Sequence, residues 1–131
     1  MLSRHMLTGI ALYAAALSAT GHAAVTEDTF QLRSTRDLIE LCSTAPTDAM
    51  GTAALNFCHG FALGVYRVLE EENAAKRIGK LFCIPDPLPT RNQAIADFIA
   101  WAKADQAVMS QPAADGVMAY LVNKYPCKSG K

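Results

Sequence analysis

Apolar positions in this chain recur at steps of three and four in four separate stretches, and no alternating run of comparable strength marks a strand. The first stretch is short: Leu38, Ile39, Leu41 and Cys42 form one face, Ser34 or Thr35 can cap it, and Asp37 sits in the first turn where a negative charge suits the helix dipole. Ser43-Thr44-Ala45-Pro46 ends it after about two to three turns, too few to stand alone. The second and longest pattern runs from about 49 to 73 behind Thr47 and Asp48, with Ala54 or Leu55, Cys58, Phe61 or Ala62, Val65 and Leu69 on one face. Its middle, Asn56 to Val65, reads as the hub of the core. Gly60 and Gly64 share a face there, and each costs about 0.8–1 kcal/mol of helix propensity against alanine, so a closely packed neighbouring backbone is expected beside them.

Beyond this helix, prolines at 85, 87 and 89 exclude helical structure from Phe82 to Pro89 and predict a rigid extended linker that carries Cys83. Thr90 and Gln93 have capping-box spacing, and Ile95, Phe98, Ile99 and Ala102 form the stripe of a third helix over about 91–104, with Trp101 beside it. A loop is expected from Asp105 to Gln111. Pro112 then opens a fourth helix whose Val117, Met118, Leu121 and Val122 are expected to pack inward, and Tyr125-Pro126-Cys127 stops it. Residues 24–34 read as an extended or frayed lead-in. The pattern therefore predicts an all-α chain, a small disulfide-stapled bundle of about four helices.

Composition changes the picture at the amino end. Arg4 and His5 precede an apolar run from Met6 to about Ala19, followed by the small residues Gly21-His22-Ala23-Ala24, the arrangement of a secretory signal peptide cleaved after Ala23. The run is too short for a spanning helix, which needs about 20 apolar residues. Residues 1–23 are thus expected to leave a single domain over 24–131 and to place it in the periplasm. Losing Arg4 lowers Lys+Arg from 12 to 11 against 12 Asp+Glu, a net charge of −1 that offers no basic surface for nucleic acid.

All four cysteines, Cys42, Cys58, Cys83 and Cys127, lie after that cleavage point, and an even number in an exported chain predicts two disulfides. Spacing alone allows three pairings. An antiparallel hairpin of the first two helices would bring Cys42 beside Cys58, leaving Cys83 to fasten Cys127 at the chain end. A metal site or a cysteine nucleophile using His59 is disfavoured, because residues 58 and 59 point about 100° apart on a helix and paired cysteines leave no thiolate. No hydrolase, metalloprotease or phosphate-binding motif is present, and no cofactor is implied. Carboxylate pairs such as Asp37 with Glu40, or Asp97 with Asp105, are ordinary on exposed helix faces. The inventory favours a protein that works by binding over an enzyme.

Charge singles out one further feature. Glu70-Glu71-Glu72-Asn73 closes the long helix with three acids that oppose its dipole. Two readings stand: a solvated turn paired with Lys76 and Arg77, or an acidic recognition surface.

Leu38 to Cys42, Cys58-x-Gly60-Phe61-x-x-Gly64-Val65, Phe82-Cys83-Ile84-Pro85 and Tyr125-Pro126-Cys127, behind a signal peptide, resemble the Rap/Tai family over about residues 34–127. The resemblance implies a small helical periplasmic immunity protein, often dimeric, that blocks a peptidoglycan amidase delivered by type VI secretion by filling its groove with a protruding loop. Relatives often carry a proline-and-acid turn between the last two helices, whereas here Ala104 to Gln111 has Asp105 and no proline. Two protrusions are candidates for target contact: Glu70, Glu71, Glu72 and Asn73, continuing to Lys80, and the segment holding Asp105 and Gln106. The first is favoured because its charge cluster has no evident stabilising role. A periplasmic acid-stress chaperone is the alternative class, and Phe57, Phe61 or Tyr66 offers a surface for self-association.

Overall fold

The computed structural model describes residues 24–75 and 79–128. The expected signal peptide at 1–23 lies outside the described residues, as do Lys76 and Arg77, the expected partners of the acidic cluster. Five helices follow one another, α1 (Thr35–Cys42), α2 (Gly51–Ala75), α3 (Arg91–Lys103), α4 (Gln106–Met109) and α5 (Ala113–Lys124), and no strand occurs among the described residues. The chain is all-α, as its periodicity predicts.

Local chemistry accounts for most of the helix starts. Ser34 and Asp37 exchange side-chain and backbone hydrogen bonds at 3.0 and 3.4 Å ahead of α1, and Thr90 and Gln93 do the same at 3.0 and 3.3 Å ahead of α3. Both are capping boxes that pair donors a helix end would otherwise leave open. The start of α2 falls at Gly51, later than expected, because Asp48 is occupied in a turn. Its carboxylate accepts from the Ala45 N–H at 3.3 Å, and its carbonyl accepts from the Gly51 N–H at 2.9 Å.

Two segments are more ordered than their sequence implies. The lead-in contains a 3-10 turn at Glu27–Gln31, closed by Leu32 at φ 48°. The expected loop at 105–111 contains α4, which Asp105 caps through the Ala107 N–H at 2.8 Å and which buries Val108 and Met109. One helical turn is too short to show a period, so only its packing reveals it.

The core is organised around α1. Leu38, Ile39 and Leu41 are among the most completely buried side chains, and α1 packs against all four other helices and the 3-10 turn. Of α2, only Gly51, Ala54 and Cys58 are buried. The expectation that the middle of α2 is the hub is therefore corrected. Phe61 and Val65 only flank the core, and nothing lies within 4 Å of where a Cβ on Gly60 or Gly64 would sit. The close approaches are elsewhere: a Cβ on Gly51 would collide with the Ala45 carbonyl, and one on Gly116 with the Thr35 side chain. Thr35 is fully buried there, its N–H donating to the Gln111 carbonyl at 2.7 Å and its hydroxyl lying 3.1 Å from the same oxygen.

The inward face of α5 is Ala113, Gly116, Val117, Tyr120 and Leu121, a stripe with steps of three, one, three and one. Met118 and Val122, expected inside, lie one position off that stripe and are exposed. Both disulfides form as topology predicts, Cys42–Cys58 and Cys83–Cys127. The second joins residues 44 apart and should stabilise by about 4 kcal/mol in the chain-entropy picture.

Candidate functional site

Four elements converge on one groove. From α2 come His59, Ala62, Leu63, Tyr66, Arg67 and Glu70, which the helical repeat places in a single stripe. The amino half of α3 adds Arg91, Ala94, Ile95 and Phe98 at the same spacing, and α5 closes the floor with Val117, Tyr120 and Leu121. The fourth wall is the proline-rich segment, through Ile84, Leu88 and Pro89. The enclosed space is about 270 Å³ and mostly apolar.

The wall formed by the proline-rich segment is held at its amino end from two sides. Asn73 at the end of α2 clamps its start, donating to the Phe82 carbonyl at 3.0 Å and accepting from the Leu81 N–H at 2.7 Å. The Cys83 N–H donates to the Tyr125 carbonyl at 2.8 Å, and the disulfide to Cys127 adds a covalent link. The segment then passes through a cis Asp86–Pro87 bond to Leu88, which is 68% exposed at the groove's edge.

On the rim, Glu70 accepts from the Tyr66 hydroxyl at 2.8 Å and from Arg67 at 2.6 Å. The Tyr66 hydrogen bond first, and Arg67 next, hold its carboxyl below the usual carboxylate range. Arg91 has no ion pair or side-chain hydrogen bond among the described residues. At the floor, Tyr120 packs its ring against Phe98, Trp101 and Tyr125 at centroid distances of 5.4, 5.7 and 6.1 Å. Its hydroxyl is sealed from solvent and has no hydrogen-bond partner of good geometry among the described residues. Burial first, and the adjacent Tyr125 phenol next, push its pKa well above the ordinary tyrosine value.

The residues singled out from sequence divide between two places. Glu70 and Asn73 are engaged as described, Glu71 is exposed, and Glu72 is half-buried at the same helix end. Asp105 and Gln106 lie away from the groove, on the side of α1 where Gln106 accepts from Arg36 at 2.9 Å. That side carries a second, more polar cleft of about 550 Å³, lined by Arg36, Glu40, Asp48, Lys103 and Gln106 among others. Sequence reasoning did not identify the groove, although its α2 stripe repeats every three or four residues and was readable as such. Its other walls come from segments distant in the chain.

Among the described residues no cluster of His, Cys, Asp and Glu could hold a metal ion, and every cysteine is in a disulfide. No described helix is long and apolar enough to cross a membrane. The fold is thus that of a small disulfide-stapled helical bundle, with a pinned apolar groove and an acidic helix end beside it. The chain belongs to the family of Rap1a immunity proteins, whose model matches residues 34–127. No curated protein and no solved structure matches it.

Proposed function

We propose that this protein is a periplasmic immunity protein that binds and inhibits a peptidoglycan amidase delivered by type VI secretion. The family match over residues 34–127 carries the reading, since immunity proteins act by binding an effector protein. Two disulfides in a domain of this size are consistent with an oxidising compartment such as the periplasm. The contact surface in this proposal is the acidic end of α2, Glu70, Glu71, Glu72 and Asn73. Asn73 fastens this end to the next segment, and Glu70 is held by Tyr66 and Arg67, so little conformational entropy remains to be lost on binding. Asp105 and Gln106 form the second candidate surface. Self-association through the outer face of α2, where Phe57 is 40% and Val68 62% exposed, belongs to the same proposal.

The decisive experiment co-expresses the protein with a panel of amidase effectors directed to the periplasm and scores growth. At least one amidase should be neutralised, and failure across the panel would remove the amidase assignment. With that partner, replacing Glu70, Glu71 and Glu72 together by glutamine should weaken binding measured by calorimetry. Unchanged affinity would move the contact to Asp105 and Gln106.

A further inference from the structure

The two disulfides stand in opposite surroundings. Cys42 and Cys58 are 6% and 0% exposed, each within a helix and at the contact between α1 and α2. Cys83 and Cys127 are both half-buried, and both lie outside the helices. A thiolate must reach a disulfide sulfur to exchange with it, so the fold shields the first bridge and leaves the second open to attack. The two ends of the second bridge differ again. Cys83 is flanked by the buried Phe82 and the half-buried Ile84, whereas Cys127 is flanked by the exposed Pro126 and Lys128, and access is therefore greater at Cys127.

Little else ties down the segments that this bridge joins. Pro126, Cys127 and Lys128 make no hydrogen bond among the described residues, so the bridge is the last tie on the carboxyl end of the described chain. On the other side, residues 84–89 make no hydrogen bond among the described residues either. The polar and covalent ties of the wall they form are those of Asn73, the Cys83 N–H and the bridge.

We propose that Cys83–Cys127 is a thiol–disulfide exchange site, opened by a dithiol reductant, whose redox state controls whether the proline-rich wall closes the groove. A thiolate of the dithiol attacks Cys127 Sγ, the bond to Cys83 breaks, and Cys83 leaves as a thiolate that takes up a proton. The second thiolate of the reductant then attacks the reductant's own sulfur in the mixed disulfide and releases Cys127. Two electrons and two protons pass to the protein, and the dithiol becomes a disulfide. Opening frees the carboxyl end and lets the wall move away from α2 and α3, while the buried Cys42–Cys58 bridge and the core around α1 persist. The site does not depend on which effector the protein binds.

The test exposes the folded, oxidised protein to dithiothreitol or to thioredoxin with its reductase, quenches with iodoacetamide over time and maps the labels by mass spectrometry. Cys83 and Cys127 should be alkylated together, about tenfold or more faster than Cys42 and Cys58, because the buried pair reacts only through rarer openings of the fold. A thioredoxin whose resolving cysteine is replaced by serine should be trapped on Cys127. In the singly reduced protein the Cys83 amide should lose hydrogen-exchange protection while α1 keeps its own, and the methyl resonances of Ile84 and Leu88 should shift. The double variant Cys83→Ser, Cys127→Ser should keep its helical circular dichroism and reproduce that pattern without reductant. If the double variant does not fold, the singly reduced wild-type protein supplies the same readings. Reduction of both bridges at one rate overturns the proposal, as does earlier labelling of Cys42 or Cys58, trapping on any other cysteine, or unchanged protection and methyl shifts after opening.

Discussion

Helices α1 and α2 use their apolar residues in opposite ways. The eight residues of α1 include five that are buried, whereas the 25 of α2 include three, all within its first eight positions. The shorter helix has neighbours on every side and the longer one is left open along much of its length, where Phe57, Leu63 and Val68 remain exposed. A long apolar pattern therefore does not identify the centre of a fold. Much of α2 forms one wall of a groove and an outer face, and there Phe61, Val65, Tyr66 and Leu69 are only partly buried against the core.

The comparison breaks most sharply on side-chain truncation. Leu38→Ala in α1 should cost about 2–5 kcal/mol of unfolding free energy, because a fully buried leucine leaves a cavity, whereas Val68→Ala, 62% exposed on α2, should stay within about 0.5 kcal/mol. Urea unfolding monitored by circular dichroism distinguishes them, and similar costs at both positions would refute the contrast. Glycines give the next largest effect, with opposite signs. Gly116→Ala drives a methyl into the buried Thr35 side chain and should destabilise by about 1–3 kcal/mol. Gly60→Ala and Gly64→Ala meet open space and should each stabilise by about 0.5–1 kcal/mol in the same unfolding assay.

The groove, where α2 faces α5, sharpens the comparison through smaller effects. Tyr120→Phe removes a buried hydroxyl that has no partner among the described residues while preserving the ring's contacts, so the protein should gain about 1 kcal/mol and melt at a higher temperature. A fall in the melting temperature would mean that the hydroxyl is already satisfied. The smallest effect is the titration of Glu70. Its folded pKa is lowered, so the stability it contributes is complete above the ordinary carboxylate pKa and is lost as pH falls through the lowered value. NMR titration of the Glu70 side chain should show the depressed midpoint, and Tyr66→Phe should move it back toward the usual range.

Local features were legible from sequence because their causes are local. Ser34 with Asp37 and Thr90 with Gln93 bond within a single turn, so their spacing alone announces two helix starts. The disulfide pairing was legible for a related reason, since a hairpin of two adjacent helices leaves little choice for Cys42, and the other two cysteines then have only each other. Asp48 shows where such reading fails: the same residue type that caps a helix can satisfy a turn, and here it bonds Ala45. Met118 and Val122 show another limit, because hydrophobicity does not say which of two adjacent positions faces inward until Thr35 is packed against Gly116.

The sequence by itself determined an all-helical chain with two staples, its breaks at the prolines and the family to which it belongs. Periodicity, caps and cysteine parity act over a few residues or through simple connectivity, and they are written in the order of the chain. Only the tertiary structure decided that α1 is the centre, that Gly116 rather than Gly60 or Gly64 admits a neighbour, and that residues of α2, α3, α5 and the proline-rich segment line one groove. Each of these depends on which distant segment arrives beside a given face, and that is set by the packing of all the helices together.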